Sequence, residues 1–348
     1  MDYTRNNDPT DLRARTNIVP ALQPAPAHNW ELSIGKPGST TARPAVRRRR
    51  LRKPTVLTGR KKRWIDPNKG VLKIFERQID ILASRYVYPH LSRFWNPYSW
   101  LLARRFCLAE TSLHPHAWPD NLNRLQVLLI SDIHTGIFLH REVVARIIAD
   151  LIEVKPDLVA IAGDIVTGHS SEVAPFLSAL SPLSRAPLGA WYCHGNHDYF
   201  GGRPEDIRCG LASVGIRTLK NQAIAIKHGD GEFVLGGIDD LVLGDPDWQQ
   251  LCATAGRPHL LLAHNPDHFY EAASHEIPLT LSGHTHGGQI RFAYGPPLIR
   301  QSRYCLDEGA FSFRESLLVV SRGFGAVGLP WRWGAFPEAV LIEITPQK

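Results

Sequence analysis

Downstream of residue 119 the chain alternates short apolar runs with longer stretches in which apolar residues return every three or four positions. Residues 125–130 and 158–161 are short apolar runs ending in polar loops, which predicts strands buried on both faces. Between them Val143, Val144, Ile147, Ile148, Leu151 and Ile152 form one stripe at helical spacing, so this part of the chain opens as a strand–helix–strand unit. Runs at 190–193, 259–263 and 278–281 repeat the strand pattern, and further strands are predicted at 232–236, 289–293, 317–321 and 339–344. The fold class that follows is α/β, a two-sheet α/β sandwich flanked by helices over residues 119–348.

Upstream of that domain the pattern changes twice. Within 71–118, read as an amphipathic helical segment, Val71, Phe75, Ile79, Leu82 and Tyr86 share one helical face. Residues 91–108 then interleave Phe94, Trp95, Tyr98, Trp100, Leu101 and Phe106 with Arg93, Arg104 and Arg105. Aromatic residues beside arginines suit a lipid headgroup region, and the same residues suit packing on the following domain. Residues 1–70 show no hydrophobic periodicity and hold 16 Lys/Arg against 5 Asp/Glu, whereas the rest of the chain holds 24 against 28. The net charge of +7 therefore belongs to a basic N-terminal tail, read as disordered because it has too little apolar surface to fold alone. Its partners by charge are an anionic membrane surface, engaged through residues 1–108, or nucleic acid.

Composition narrows the classes further. With 43% hydrophobic residues in 348, the chain can bury a substantial core. Its five cysteines form no CxxC pair, which argues against a disulfide framework or a thiolate zinc site. No run reaches the roughly 18 apolar residues of a spanning helix, and the N-terminus lacks the apolar core of a signal peptide. The expected location is cytoplasmic, with peripheral attachment to the inner face of the membrane.

Chemistry gathers at the predicted strand ends: Ser131-Asp132-Ile133-His134, Gly163-Asp164, Gly195-Asn196-His197-Asp198, His264-Asn265-Pro266-Asp267 and Gly283-His284-Thr285-His286. Carboxyl ends of strands in α/β sheets converge on one crevice. Asp132, His134, Asp164, Asn196, His264, His284 and His286 are thereby candidate ligands for two cations, which hold both oxygens of a phosphoryl displacement when about 3.5–4 Å apart. Mixed imidazole, carboxylate and amide donors favour Mn, Zn or Fe, as two divalent or trivalent ions, over Ca or Mg.

From about residue 124 to 344 the chain resembles the calcineurin-like metallophosphoesterases, through all five motifs in order. Within that superfamily HNPD, SGHTHGGQIR and SRGFG are most similar to the YkuE-like, membrane-associated bacterial branch. The resemblance implies a first metal on Asp132, His134 and His286, bridged by Asp164 to a second on Asn196, His264 and His284. It also implies His197 as leaving-group proton donor and phosphate binder, with Asp198 orienting it. A second acid often follows in the pattern GDxxD; this chain has Thr167 there. Arg322, in SRGFG, is the strongest candidate for substrate binding, because a guanidinium engages phosphate through several donors. Phe324, Leu329, Trp331, Trp333 and Phe336 line an apolar pocket or close the core. The expected activity is hydrolysis of a phosphoester substrate by a metal-bridging hydroxide, as a phosphodiesterase or pyrophosphatase acting on a lipid or nucleotide-lipid at a membrane surface. The alternatives are a nuclease or phosphomonoesterase whose basic tail binds nucleic acid; intact ligands argue against a non-catalytic scaffold.

Overall fold

The computed structural model describes residues 46–57, 97–136, 138–200, 202–292, 296–298 and 300–347. Its first strands are β1 (Arg47–Arg50), β2 (Thr55–Val56), β3 (Cys107–Leu113), β4 (Leu125–Ile130), β5 (Leu158–Ala162), β6 (Ala190–Cys193) and β7 (Ile216–Thr218). The second half adds β8 (Gln222–His228), β9 (Gly231–Gly237), β10 (Leu260–Leu262), β11 (Leu279–Ser282), β12 (Gly309–Phe313), β13 (Ser316–Val320) and β14 (Glu338–Ile344). Between them lie α1 (Pro97–Arg105), α2 (Arg141–Ile152), α3 (Leu177–Leu180), α4 (Pro204–Ser213), α5 (Trp248–Ala255) and α6 (Phe269–Ser274).

These strands form two mixed seven-stranded sheets, ordered β1-β3-β14-β4-β5-β6-β7 and β2-β12-β13-β11-β10-β9-β8. In the first, β4 to β7 run parallel and β14 is antiparallel to β4. In the second, β9, β10, β11 and β13 run parallel, and β8 and β12 pair antiparallel with them. Side chains alternate across each strand. Val127, Leu129, Leu158 and Ala160 thus meet Leu235, Leu260, Leu262 and Leu279 between the sheets. Leu128, Ile130, Val159 and Ile161 point the other way, under Val144, Ile148 and Leu151 of α2. On the far side of the second sheet, Leu261 and Ala263 are covered by Leu251 of α5 and Ala272 of α6. Burial on both faces is why the strands read as apolar runs rather than alternating patterns. The parallel arrangement also sends β4, β5, β6, β10 and β11 into loops at one end of the sandwich, where the motifs lie.

Several expectations change against this architecture. Residues 46–57 fall inside the stretch read as disordered, yet they pair as β1 and β2, one at the edge of each sheet. Sequence periodicity could not signal this, because the order comes from partners far along the chain: β3 takes the backbone of β1, Glu110 takes Arg48, and the buried Glu338 takes Arg49. The remainder of 1–70 and the predicted helix at 71–87 lie outside the described residues. Of the aromatic segment at 91–108, Pro97–Arg105 is helical, and Tyr98, Leu101 and Leu102 are buried in the domain core. Trp100 faces outward, with the Arg104 guanidinium 4.7 Å above its ring. The helix ends at Arg105, and Cys107 already begins a strand. In place of the predicted strand, Ile290 and Arg291 form isolated bridges after Gly287, Gly288 and Gln289 turn the backbone through positive φ; Ala293 lies outside the described residues. Among the described residues, no helix is long and apolar enough to cross a membrane.

Candidate metal centre

Five of the seven predicted ligands hold their backbones at positive φ: Asp132 (51°), His134 (51°), Asp164 (53°), His284 (71°) and His286 (52°). Non-glycine residues seldom adopt this region, and strain of this kind collects where surroundings over-determine a functional geometry. Two glycines explain how the loops pack so tightly. A Cβ on Gly195 would collide with the Asp164 carboxylate, and one on Gly283 with that of Asp132. Each motif thus leaves room for a ligand of another, a requirement of close approach.

The ligand atoms converge in two buried triads, Asp132/His134/His286 and Asp164/His264/His284, each with its donor atoms within 4.8 Å of one another. His134 Nε2 lies 3.1 Å from His286 Nε2. In the second triad His284 Nδ1 lies 3.3 Å from His264 Nε2, and Asn196 Oδ1 lies 2.9 Å from the former and 3.2 Å from the latter. Asp164 Oδ2 reaches both groups, 3.2 Å from His264 Nε2 and 3.7 Å from His134 Nε2. The histidines are oriented from behind: His264 Nδ1 meets the Ala162 carbonyl at 2.8 Å and His134 Nδ1 that of Val166 at 3.2 Å. A neutral ring with its proton on Nδ1 presents a bare Nε2 inward, as a metal requires, and a cation at His264 would have to displace the second proton first. Convergent nitrogens, a shared carboxylate oxygen and burial together fit two cations.

Electrostatics in the metal-free chain follow the same division. Burial opposes charge on Asp164, but His264, His197 and His134 hold its carboxyl well below the usual range. Burial likewise opposes charge on His264, and Asp164 overrides it, raising the imidazole to about 10. His134 and His286 move the other way, well below an ordinary histidine, through burial and neighbouring positive groups. Burial lifts Asp132 to about 6.

His197 is half-exposed beside the first triad, its ring 4.8 Å from that of His134. Its Nδ1 lies 2.6 Å from the Thr167 carbonyl, and its backbone N–H donates to Asp164 Oδ1 at 2.8 Å. Asp198 was expected to orient this ring. Instead its carboxylate accepts from the N–H groups of Asp164, Ile165 and Gly195 and from the Tyr192 hydroxyl. It fixes the loop carrying Asp164, because its carboxylate takes the backbone N–H groups there. Arg322 also differs from expectation. Its Nε donates to Glu308 and stands 3.9 Å from Glu338, so it sits in an ion-pair cluster rather than facing an open anion site. Phe324 is core, whereas Leu329, Trp331 and Trp333 are exposed.

Arg332 had no signal in the sequence. It is fully buried, and its guanidinium donates to the carbonyls of Gly325 and Arg322, with Nη2 2.7 Å from His286 Nδ1. It braces the ligand ring from the side opposite His134. Its neighbours Trp331 and Trp333 drew attention for their size; an arginine between aromatics reads as surface until the carbonyls that surround it are seen.

Comparisons with known proteins agree with the geometry. The sequence profile of the calcineurin-like phosphoesterases matches residues 125–288. The chain is 30% identical over 244 residues to the uncharacterized metallophosphoesterase YkuE of Bacillus subtilis, covering 68% of this chain and 82% of that one. It is 35% identical over 238 residues to the phosphodiesterase YaeI of Escherichia coli, covering 65% and 84%. Among solved structures, the NAD nucleotidase of Haemophilus influenzae aligns with a TM-score of 0.40 at 15% identity, over 58% of this chain. This chain spans about half the length of that nucleotidase, 45%.

Proposed function

The chain belongs to the calcineurin-like phosphoesterase family, and on that premise we propose that it is a phosphodiesterase or pyrophosphatase for a lipid or nucleotide-lipid substrate presented at a membrane surface. The family and the two buried His/Asp groups make it a metal-dependent phosphoester hydrolase; the relative YaeI is a phosphodiesterase. Two bound cations would supply an activated water and neutralise charge on the phosphoryl oxygens. Asp164 would link them, with Asp132, His134 and His286 on one side and Asn196, His264 and His284 on the other. His197, tethered through Nδ1, keeps Nε2 for the leaving oxygen; as an imidazolium, protonated on both nitrogens, it would hand the Nε2 proton to that oxygen and remain neutral with its Nδ1 proton on the Thr167 carbonyl.

One observation carries the preference for a diester. The arginines of these loops already have partners: Arg322 and Arg291 share Glu308, Arg300 meets Asp307, and Arg332 is occupied by backbone carbonyls. A phosphomonoester dianion brings one more charge than a diester, and these arginines are committed elsewhere. The lipid reading is supported by an apolar rim that follows His286. Phe292 (71% exposed), Leu298 (63%), Leu329 (58%), Trp331 (38%) and Trp333 (55%) lie on two segments joined at Ile290 and Trp333. Large contiguous apolar surface beside a site marks a binding face.

The test uses the full chain loaded with manganese or zinc and a panel of monoesters, nucleic acids, soluble diesters, UDP-linked sugars and lipid diesters. Diesters or pyrophosphates should turn over best, and Asp164→Asn should lose far more than the roughly 10–100-fold typical of an outer-shell partner. Preference for monoesters, or turnover of DNA or RNA above every lipid, would discard the proposal.

A further inference from the structure

Thr167 stands where the family pattern often has a second acid, and the structure brings a carboxylate to the same loop from five residues downstream. Glu172 ends a short 3-10 turn, Ser170–Glu172, that folds back under the loop after β5. A single oxygen, Oε2, accepts from the backbone N–H of Thr167 at 2.8 Å and that of Gly168 at 3.0 Å. The carboxylate packs against Gly136, where a Cβ would stand 3.4 Å from Cδ of Glu172.

Those two N–H groups belong to successive peptide units, and each unit has its carbonyl aimed at an imidazole. The peptide ending at Thr167 N–H begins with the Val166 carbonyl, 3.2 Å from His134 Nδ1. The next begins with the Thr167 carbonyl, 2.6 Å from His197 Nδ1. In a planar trans peptide the N–H and C=O point in opposite directions, so anchoring one fixes the other. A hydrogen-bonded carboxylate on the N–H side also polarises the unit and makes its carbonyl a stronger acceptor.

We propose that Glu172 is a positioning residue that clamps two consecutive peptides and thereby orients both His134, a metal ligand, and His197, the leaving-group proton donor. This rests on the role given to His197 above. Thr167 contributes its carbonyl where the family pattern offers a side chain, and the carboxylate at this loop comes from position 172. The hydroxyl of Thr167 is occupied elsewhere, 3.4 Å from the Thr135 carbonyl. Without the clamp, the 166–168 backbone loses the anchor opposite both carbonyls, and the His197 ring loses its fixed direction.

The experiment compares full-chain wild type, Glu172→Ala, Glu172→Gln and His197→Ala, all loaded with manganese, on a diester with a p-nitrophenolate leaving group and one with an alkoxide leaving group. Nitrophenolate departs without a proton, whereas alkoxide needs one, so a misaimed donor slows the second selectively. Glu172→Ala should lower kcat on the alkyl diester at least about tenfold more than on the nitrophenyl diester, within the range general acid catalysis supplies, beyond any loss that the two substrates share through a displaced His134. Glu172→Gln should restore most of the loss, because its one amide oxygen can take both N–H bonds. A merely structural role would lower both substrates together and would not be rescued in this selective way. If His197→Ala discriminates between leaving groups and Glu172→Ala does not, the clamp is refuted while His197 keeps its role. If His197→Ala shows no discrimination, the proposal falls with the reading beneath it. Should Glu172→Ala fail to load metal, Glu172→Asp replaces it: the shorter carboxylate withdraws from both N–H groups and should show the same selective loss.

Discussion

His264 is where metal binding and protonation meet. In the metal-free chain its imidazole is held to about 10 by Asp164 against the opposing effect of burial, so at neutral pH the ring carries a proton where a cation must go. A metal entering the second triad displaces that proton. Below the raised pKa, affinity there should therefore climb about tenfold per pH unit and level off only as pH approaches that value. The first triad behaves differently, because burial holds His134 and His286 well below an ordinary histidine and both are already neutral. Calorimetric titration of the apoprotein near pH 8 in two buffers of different ionisation enthalpy should find close to one proton released for the second-triad metal and close to none for the first. Equal release by both would contradict the pairing of Asp164 with His264. At this scale the candidate ligands were legible because each motif couples a ligand type to a strand end, and the structure brings all seven side chains together. Asp198 and Arg322 were misread for one reason: adjacency in sequence does not say which way a side chain turns. Asp198 follows His197 directly yet bonds to the loop after β5, and Arg322 lies beside glycines yet meets Glu308.

Strand β14 shows what an element adds to its residues. It lies between β3 and β4, and at its first position the buried Glu338 takes Arg49 from the edge strand β1 and the Arg322 backbone N–H, with the Arg322 Nε nearby. One carboxylate thus ties an N-terminal strand to the loop after β13. Removing it leaves Arg49 and Arg322 facing one another with only Glu308 to compensate, and loss of one partner from a buried ion pair costs roughly 3–5 kcal/mol. Glu338→Ala should lower the unfolding free energy from denaturant titration by up to that order and move the midpoint down accordingly, with Glu338→Gln intermediate because its amide still accepts one bond. A midpoint unchanged within error would show that the cluster is solvated and adds nothing. The central strands were visible from the sequence because burial on both faces leaves continuous apolar runs. β1 was not, since four arginines in a row read as tail; they form a strand only through acids at positions 110 and 338. β3 was hidden for a related reason, lying inside a segment whose aromatics read as helix.

At the scale of the whole molecule, the proposal of a membrane-borne substrate rests on the distribution of exposed apolar surface. Phe292, Leu298, Leu329, Trp331 and Trp333 all belong to the segments that follow the last ligand motif or lie beside it. The same region meets α1, whose Arg105 lies 5.3 Å from the Phe336 ring and whose Trp100 is exposed next to Arg104. Tryptophans with arginines at their flanks are the composition of a surface that sits at a lipid boundary. On the loop that carries Leu329, Trp331 and Trp333, the apolar Phe324, Ala326 and Ala335 are buried, so the exposed ones stand out from a loop that is otherwise anchored in the core. If this end rests on a bilayer, a lipid phosphodiester would reach the metals without leaving the membrane, and turnover should depend on how the substrate is presented. Replacing Leu329, Trp331 and Trp333 together by serine removes three contacts; even about 1.4 kcal/mol of lost insertion corresponds to a tenfold weaker partition. The ratio of turnover on vesicle-borne diester to that on the same headgroup diester free in solution should fall by at least about that factor, and sedimentation with anionic vesicles should weaken in parallel. A ratio unchanged by the triple substitution would place the bilayer elsewhere, and the rim would then have to serve a soluble apolar substituent of the substrate.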